Sequence, residues 1–148
     1  INMIIPFPQA NDLNKILKLI AEFQYSIKKD LMNNLKLDTY RQLNYYFSAS
    51  IFLGLMKYNH GKYELTKAGL MIANERKEYQ KGRFIRHMLR NKIILEIYAK
   101  LILNNDKNDD ELLMILNNVN NFRDLSISTK IRRLSTIKSW INWLYKNI

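Results

Sequence analysis

Residues 37–69 read LDTYRQLNYYFSASIFLGLMKYNHGKYELTKAG, and this stretch decides the fold. Asp38 or Thr39 offers a side-chain oxygen at the start of a helical run, where the first free N–H groups need an acceptor. The run extends to about Leu53, and Gly54 stands where a helix ends, since glycine turns left-handed at no steric cost. Two short runs carrying Tyr and Leu then flank Asn59-His60-Gly61, the pattern of a tight β-hairpin. The spacing predicts a further helix from Lys67 to about Glu78.

Upstream, Pro6 and Pro8 make the opening stretch extended, because each restricts itself and the residue before it. Asn11 or Asp12 can cap a helix through LNKILKLIAEFQYSI, where Leu13, Ile16, Leu17, Ile20 and Phe23 recur at helical spacing. A short second helix is expected over about Lys28 to Leu35. Helix, helix, longer helix and hairpin is the order of a winged helix-turn-helix. The plainer alternative is any small helical bundle carrying a hairpin.

Downstream, the second half repeats the first at a shift of 88 residues. Leu37 aligns with Leu125, Leu43 with Ile131, Tyr46 with Leu134 and Ser48 with Thr136, and Phe52, Leu53 and Leu55 fall on Trp140, Ile141 and Trp143. Residues 33–36, NNLK, resemble the NNFR of residues 120–123 at a shift one residue shorter. Asp109-Asp110-Glu111 opens the preceding helix, at the positive end of its dipole, and Ser126 or Ser128 caps a last helix over 128–146. Two amphipathic helices can look alike by chance, but matching turn, cap and aromatic positions favour tandem units. The expected class is therefore mainly α: tandem winged helix-turn-helix units with a small β-hairpin wing. Residues 1–78 form the first unit, and 79–148 a second, wingless one with a basic connecting helix.

The 148 residues fit one compact domain or two small ones. Lys plus Arg number 24 against 13 Asp plus Glu, a net +11 that calls for a polyanionic partner: DNA, RNA or an anionic membrane surface. From Arg76 to Lys92 the net is +6 and from Arg123 to Lys146 it is +5, so these two runs hold the whole excess. With no cysteine, disulfides, thiolate zinc sites, iron–sulfur clusters and cysteine nucleophiles are excluded, and a cytoplasmic setting is expected. No apolar run approaches the ~18 residues of a membrane span, so no membrane partner is expected.

On the helix over 39–53, Arg41, Asn44, Tyr45 and Ser48 lie opposite the apolar face of Leu43, Tyr46, Ser50 and Leu53. The repeat carries the first set onto Thr129, Arg132, Arg133 and Thr136, with Lys130 beside them. Such side chains read base edges or hold phosphates, although each alone is an ordinary surface residue. Arg132 and Arg133 point about 100° apart. One is expected to specify a base, Arg132 for preference, and the other to hold the backbone. The structural alternative pairs one of them with Asp124 or an acid at 109–111. Arg83, Arg86 and Arg90 recur at three- and four-residue spacing as a phosphate-tracking stripe. Trp140 and Trp143 match Phe52 and Leu55 and are expected in the core rather than against bases.

No active site is legible. Glu75-Arg76-Lys77 spells the Glu-x-Lys of metal-dependent nucleases, but it ends a predicted helix and has no suitable upstream Asp. His60 and His87 have no visible partner, and no GxxxxGK loop is present. No catalytic residue and no metal ligand are assigned, and no cofactor is expected in this chain.

RQLNYYFSASIFLGLM followed by KYELTKAG resembles a motif reading RQ-x-x-YY-x-x-A-x-x-LGL, then Y-x-LT-x-x-G. STKIRRLSTIKSWINWL resembles its companion, S-x-x-T-x-x-RR-x-x-T-x-x-SW-x-x-W. The pair, like the IPFPQAND start, is similar to tandem winged-helix DNA-binding modules attached to type II restriction endonucleases and to some AAA-type ATPases of bacterial defence systems. The resemblance implies a double-stranded DNA-binding module of a restriction-modification system. Any nuclease domain or subunit, with its Mg²⁺, would lie outside this module. By the same resemblance Ala49 and Gly54 allow close helix packing, and Leu65-Thr66 ends the wing and caps the next helix. Two other classes stay open: a protein-interaction module docking a partner ATPase or methyltransferase, and a free-standing transcriptional regulator. The sequence assigns no oligomeric state.

Overall fold

The computed structural model describes residues 9–119 and 122–148. The expected extended stretch at Pro6 and Pro8, and part of the NNFR likeness, lie outside the described residues.

Helix α1, Leu13–Glu22, buries Leu13, Ile16, Leu19 and Ile20, and the Asp12 carboxylate caps it by accepting from the Asn14 N–H. A single 3₁₀ turn, Phe23–Tyr25, continues it, and α2, Lys28–Asn34, buries Leu31. In α3, Tyr40–Phe52, Thr39 and Gln42 make a reciprocal capping box. Helix α3 buries Leu43 and the block Tyr46–Ser50, because it packs against α1, α2 and the hairpin together. Its end is a Schellman turn: the N–H groups of Gly54 and Leu55 donate to the carbonyls of Ile51 and Ser50, with Gly54 at φ +73°.

Strands β1, Met56–Asn59, and β2, Lys62–Leu65, pair antiparallel with Met56 opposite Leu65. The turn residues His60 and Gly61 both have positive φ, as a two-residue hairpin of matching twist requires. Tyr63 stacks on Phe47 with ring centroids 4.2 Å apart, which docks the hairpin on α3. Thr66 then caps α4, Lys67–Ala73, while its hydroxyl donates to the Gly54 carbonyl at 2.6 Å. Glycine at 69 answers to close approach, since a Cβ there would stand 2.1 Å from the Leu55 carbonyl oxygen. The expectation of close packing at Gly54 is corrected: a Cβ there would meet nothing within 4 Å, and the positive φ is what calls for glycine.

The single helix expected over Lys67 to Glu78 is in fact two. The chain breaks after Ala73 and restarts as α5, Lys77–Leu89. The Glu75 carboxylate at the break accepts from the Arg76 N–H and from Arg83, one turn and more into α5. Helix α6, Lys92–Tyr98, is capped by Asn91 and runs into a π-helical turn, Ala99–Leu103. Helix α7, Asp109–Leu116, is capped by Asn108, and α8, Ile127–Asn147, by Ser126.

Helix α8 packs on α6 and α7 and reaches back to the start of the described chain. The buried Trp140 indole donates to the Ala10 carbonyl at 2.7 Å, and Trp143 donates to the Asn14 side chain at 3.1 Å. Phe84 of α5 meets Trp143 edge to face. One hydrophobic core therefore runs from Ala10 to Leu144, and the division expected at 78/79 falls inside α5. The architecture is mainly helical with one two-stranded hairpin. The repeat pairs Tyr46/Leu134 and Leu53/Ile141 are buried at both members, whereas Leu43 is buried and its counterpart Ile131 is 56% exposed.

Candidate nucleic-acid interface

Two basic surfaces stand out, and the larger lies where the first halves of α3 and α8 meet. Arg41 and Asn44 are exposed on α3. The Arg41 Nε donates to the Tyr45 hydroxyl at 2.8 Å, a contact that one helical turn of separation makes possible. On α8, Arg132 is exposed and donates to the Thr129 hydroxyl at 3.2 Å. Arg133 is half-buried, its Nε has no hydrogen-bond partner, and it lies within electrostatic reach of Tyr45. Burial, and then the neighbouring Arg132 charge, push the Arg133 guanidinium pKa down, while Tyr45 opposes the shift.

Gln42 and Tyr45 from α3, Arg132, Ser135 and Thr136 from α8, and Gln9 and Asn11 from the leading segment line a cleft of roughly 400 Å³ between the helices. No ion pair among the described residues involves Arg41, Arg132 or Arg133. Of the acids at 109–111 expected as alternative partners, Asp109 is engaged with Lys138 and Glu111 with Lys100.

Two of the expected contact residues are not on this surface. Ser48 is 8% exposed and Thr136 only 1%. Ser48 falls in the block that α3 buries against its neighbours, and the Thr136 hydroxyl donates to the Asn11 side chain at 2.8 Å. Both positions are structural. Thr129 is half-buried at the start of α8, where it holds Arg132, and the Lys130 ammonium sits 5.8 Å from the centre of the Phe122 ring. Gln42, Ser135 and Asn11 were not expected here. The Thr-x-x-Gln spacing marks Gln42 only as a capping residue, Ser135 follows Arg132 by three residues, and nothing local connects Asn11 to residue 136.

The second surface is α5. Arg83, Arg86, His87 and Arg90 line a small hollow of roughly 70 Å³ against Ala68, Met71 and Ile72 of α4. Arg86 and Arg90 are exposed, but Arg83 is turned onto Glu75, with Nη2 2.8 Å and Nε 3.0 Å from one carboxylate oxygen. Among the described residues the three-arginine stripe is thus reduced to two cations without an acid partner. His87 does not join them: its Nε2 lies 2.5 Å from the Leu53 carbonyl, so the ring N–H ties α5 to the end of α3. Glu75 of the Glu-x-Lys sequence is held below the usual carboxylate range, chiefly by its hydrogen bond from Arg83.

Among the described residues no group of three His, Cys, Asp or Glu stands close enough to hold a metal ion. No helix is long and apolar enough to cross a membrane. A family model described as a domain of unknown function (DUF7226) matches residues 13–148. No curated protein and no solved structure matches the chain.

Proposed function

We propose that this chain, which belongs to the DUF7226 family, is a double-stranded DNA-binding module serving target recognition in a bacterial type II restriction system. In this reading α2 and α3 with the β1–β2 hairpin form a winged helix-turn-helix, and α7 with α8 forms a second, wingless one. The observation that carries it is the cleft lined by Tyr45 of α3 and Arg132 of α8, with Arg41 and Arg133 on the same two helices and all three arginines without carboxylate partners among the described residues. In this reading Arg132, exposed at the second turn of α8, meets a base edge, and the exposed Arg86 and Arg90 track phosphates. The restriction setting rests on the motif resemblance, and the nuclease chemistry would belong to another domain or subunit.

The test is fluorescence anisotropy with a labelled duplex at 50 and 200 mM salt, together with an assay for cutting in Mg²⁺. Binding that weakens steeply across that interval, with the duplex left intact, is the expected outcome. Absence of binding to any duplex at low salt removes the reading. Docking of a partner protein through apolar surface would give salt-insensitive association, and a free-standing regulator would form a stable dimer on a palindromic site.

A further inference from the structure

We propose that the cleft between α3 and α8 reads a guanine, with Arg132 of α8 and Gln42 of α3 donating to the same base edge. The inference rests on the DNA reading and names the base that this part of the interface selects.

Every residue lining the cleft is polar, and none is acidic. Which of their atoms are left for a ligand follows from the hydrogen bonds already made. The Gln42 side-chain oxygen accepts from the Asp38 N–H at 2.7 Å and from the Thr39 N–H at 3.3 Å. Backbone N–H groups only donate, so the direction of the amide is fixed, and Gln42 has only its own N–H groups to offer. Tyr45 accepts from the Arg41 Nε at 2.8 Å and keeps its O–H to donate. Arg132, which has no acceptor, gives one terminal nitrogen to the Thr129 hydroxyl at 3.2 Å. That contact orients the guanidinium and leaves its other N–H groups to a ligand.

The cleft therefore presents directed donors from both helices. In the major groove guanine shows two adjacent acceptors, O6 and N7. Adenine sets a donor beside its acceptor, cytosine shows a donor, and thymine has one acceptor beside a methyl group. Glutamine ordinarily selects adenine by donating to N7 and accepting from the N6 amino group. Here the capping box has taken that acceptor, and guanine is the base that satisfies a donor from each helix. A phosphate also accepts, but it gains most from cations, and the cleft sets its one arginine among neutral donors. Gln42 lies in the first turn of α3 and Arg132 in the second turn of α8, the ends by which recognition helices meet base edges.

The experiment selects the tightest duplex from a randomised pool, then replaces its guanines one at a time by 7-deazaguanine, which lacks the N7 acceptor. Wild type should lose about tenfold in affinity at one guanine, the lower range for a good base contact. Arg132→Ala should weaken the unmodified duplex by a similar factor and become indifferent to that replacement. Gln42→Glu keeps an oxygen for the capping box but removes the donor. Selection repeated with this variant should lose the guanine preference at that same base pair and keep the preferences elsewhere. Indifference of wild type to every replacement, or a guanine preference that survives Gln42→Glu, overturns the inference and leaves DNA binding standing. Effects of the two variants at different base pairs do the same. Equal losses on all sequences, with the selected sequence unchanged, give the cleft to a phosphate and also overturn it. Should Gln42→Glu fail to fold by circular dichroism, 2-aminopurine, which lacks O6, decides at the same position: wild type should again lose about tenfold, and an unaffected affinity overturns the shared edge. Absence of binding to any duplex removes the DNA reading and the guanine with it.

Discussion

Gly69 leaves no room for a methyl group, because its Cβ would press on the Leu55 carbonyl oxygen at 2.1 Å, and backbone does not yield cheaply. Gly69→Ala is expected to destabilise the fold by roughly 1–3 kcal/mol, the range for overpacking. Gly82, in the middle of α5, has open space around it, so Gly82→Ala should stabilise by about 0.5–1 kcal/mol through helix propensity and a less flexible unfolded chain. Urea midpoints moving in opposite directions verify the contrast; a shared direction refutes it. Glu75 gives a pH signature. Its carboxyl is held below the usual carboxylate range by Arg83, so the folded state favours the ionised form. That contribution is present above the unfolded pKa and is lost as pH falls through the folded one. Glu75→Gln should therefore lower stability at pH 7, and the gap to wild type should close on acidification through the carboxylate range, as read by denaturant melts at pH 7 and pH 3. A gap that stays constant would mean the Arg83 contact contributes nothing electrostatic.

At the scale of elements, what matters is how many sides of a helix are covered. Helix α3 has α1, α2 and β1 against it, so its open side narrows to Tyr40, Arg41, Asn44 and the edge of Tyr45, and Ser48 goes inside. Helix α5 is covered by α1, α4 and α6, yet keeps Arg86 and Arg90 in solvent. Replacing both by Gln should weaken binding to every duplex alike and reduce the slope of log K against log salt by about 2, one per phosphate contact. Arg83→Gln should leave that slope unchanged while lowering stability, since its charge already faces Glu75. An equal slope change for Arg83 and Arg86 would show that the Glu75 pair opens on binding.

For the whole molecule, the junction between the halves is part of the core. Trp140 and Trp143, both on α8, donate to Ala10 and Asn14, and α5 lies between α1, α4 and α6. A chain cut at 78/79 would strip α5, which carries the buried Phe84 and Met88, of its packing on α1 and α4. Neither fragment is expected to unfold cooperatively alone, and mixing them should restore near-ultraviolet dichroism from the tryptophans. A sharp melt from isolated 79–148 would establish it as an independent domain.

Much was determined by the sequence itself, wherever the governing interaction spans a few residues. Thr39 with Gln42, the left-handed Gly54, the turn at His60-Gly61, and the caps at Asp12 and Ser126 all satisfy backbone groups within one turn of the residue that signals them. The place of Trp140 in the core was legible too, from its alignment with Phe52, whereas Trp143 is half-buried against the core. Local pattern failed where distant segments compete for a side chain. The break at Asn74–Arg76 depends on Arg83 reaching back to Glu75, and the burial of Thr136 depends on Asn11, 125 residues away. Only the tertiary structure could take one cation of the α5 stripe out of play and bring Tyr45 of α3 and Arg132 of α8 to one cleft. Burial and charge neutralisation belong to the packed chain, whereas helical periodicity only ranks which faces are available to be covered.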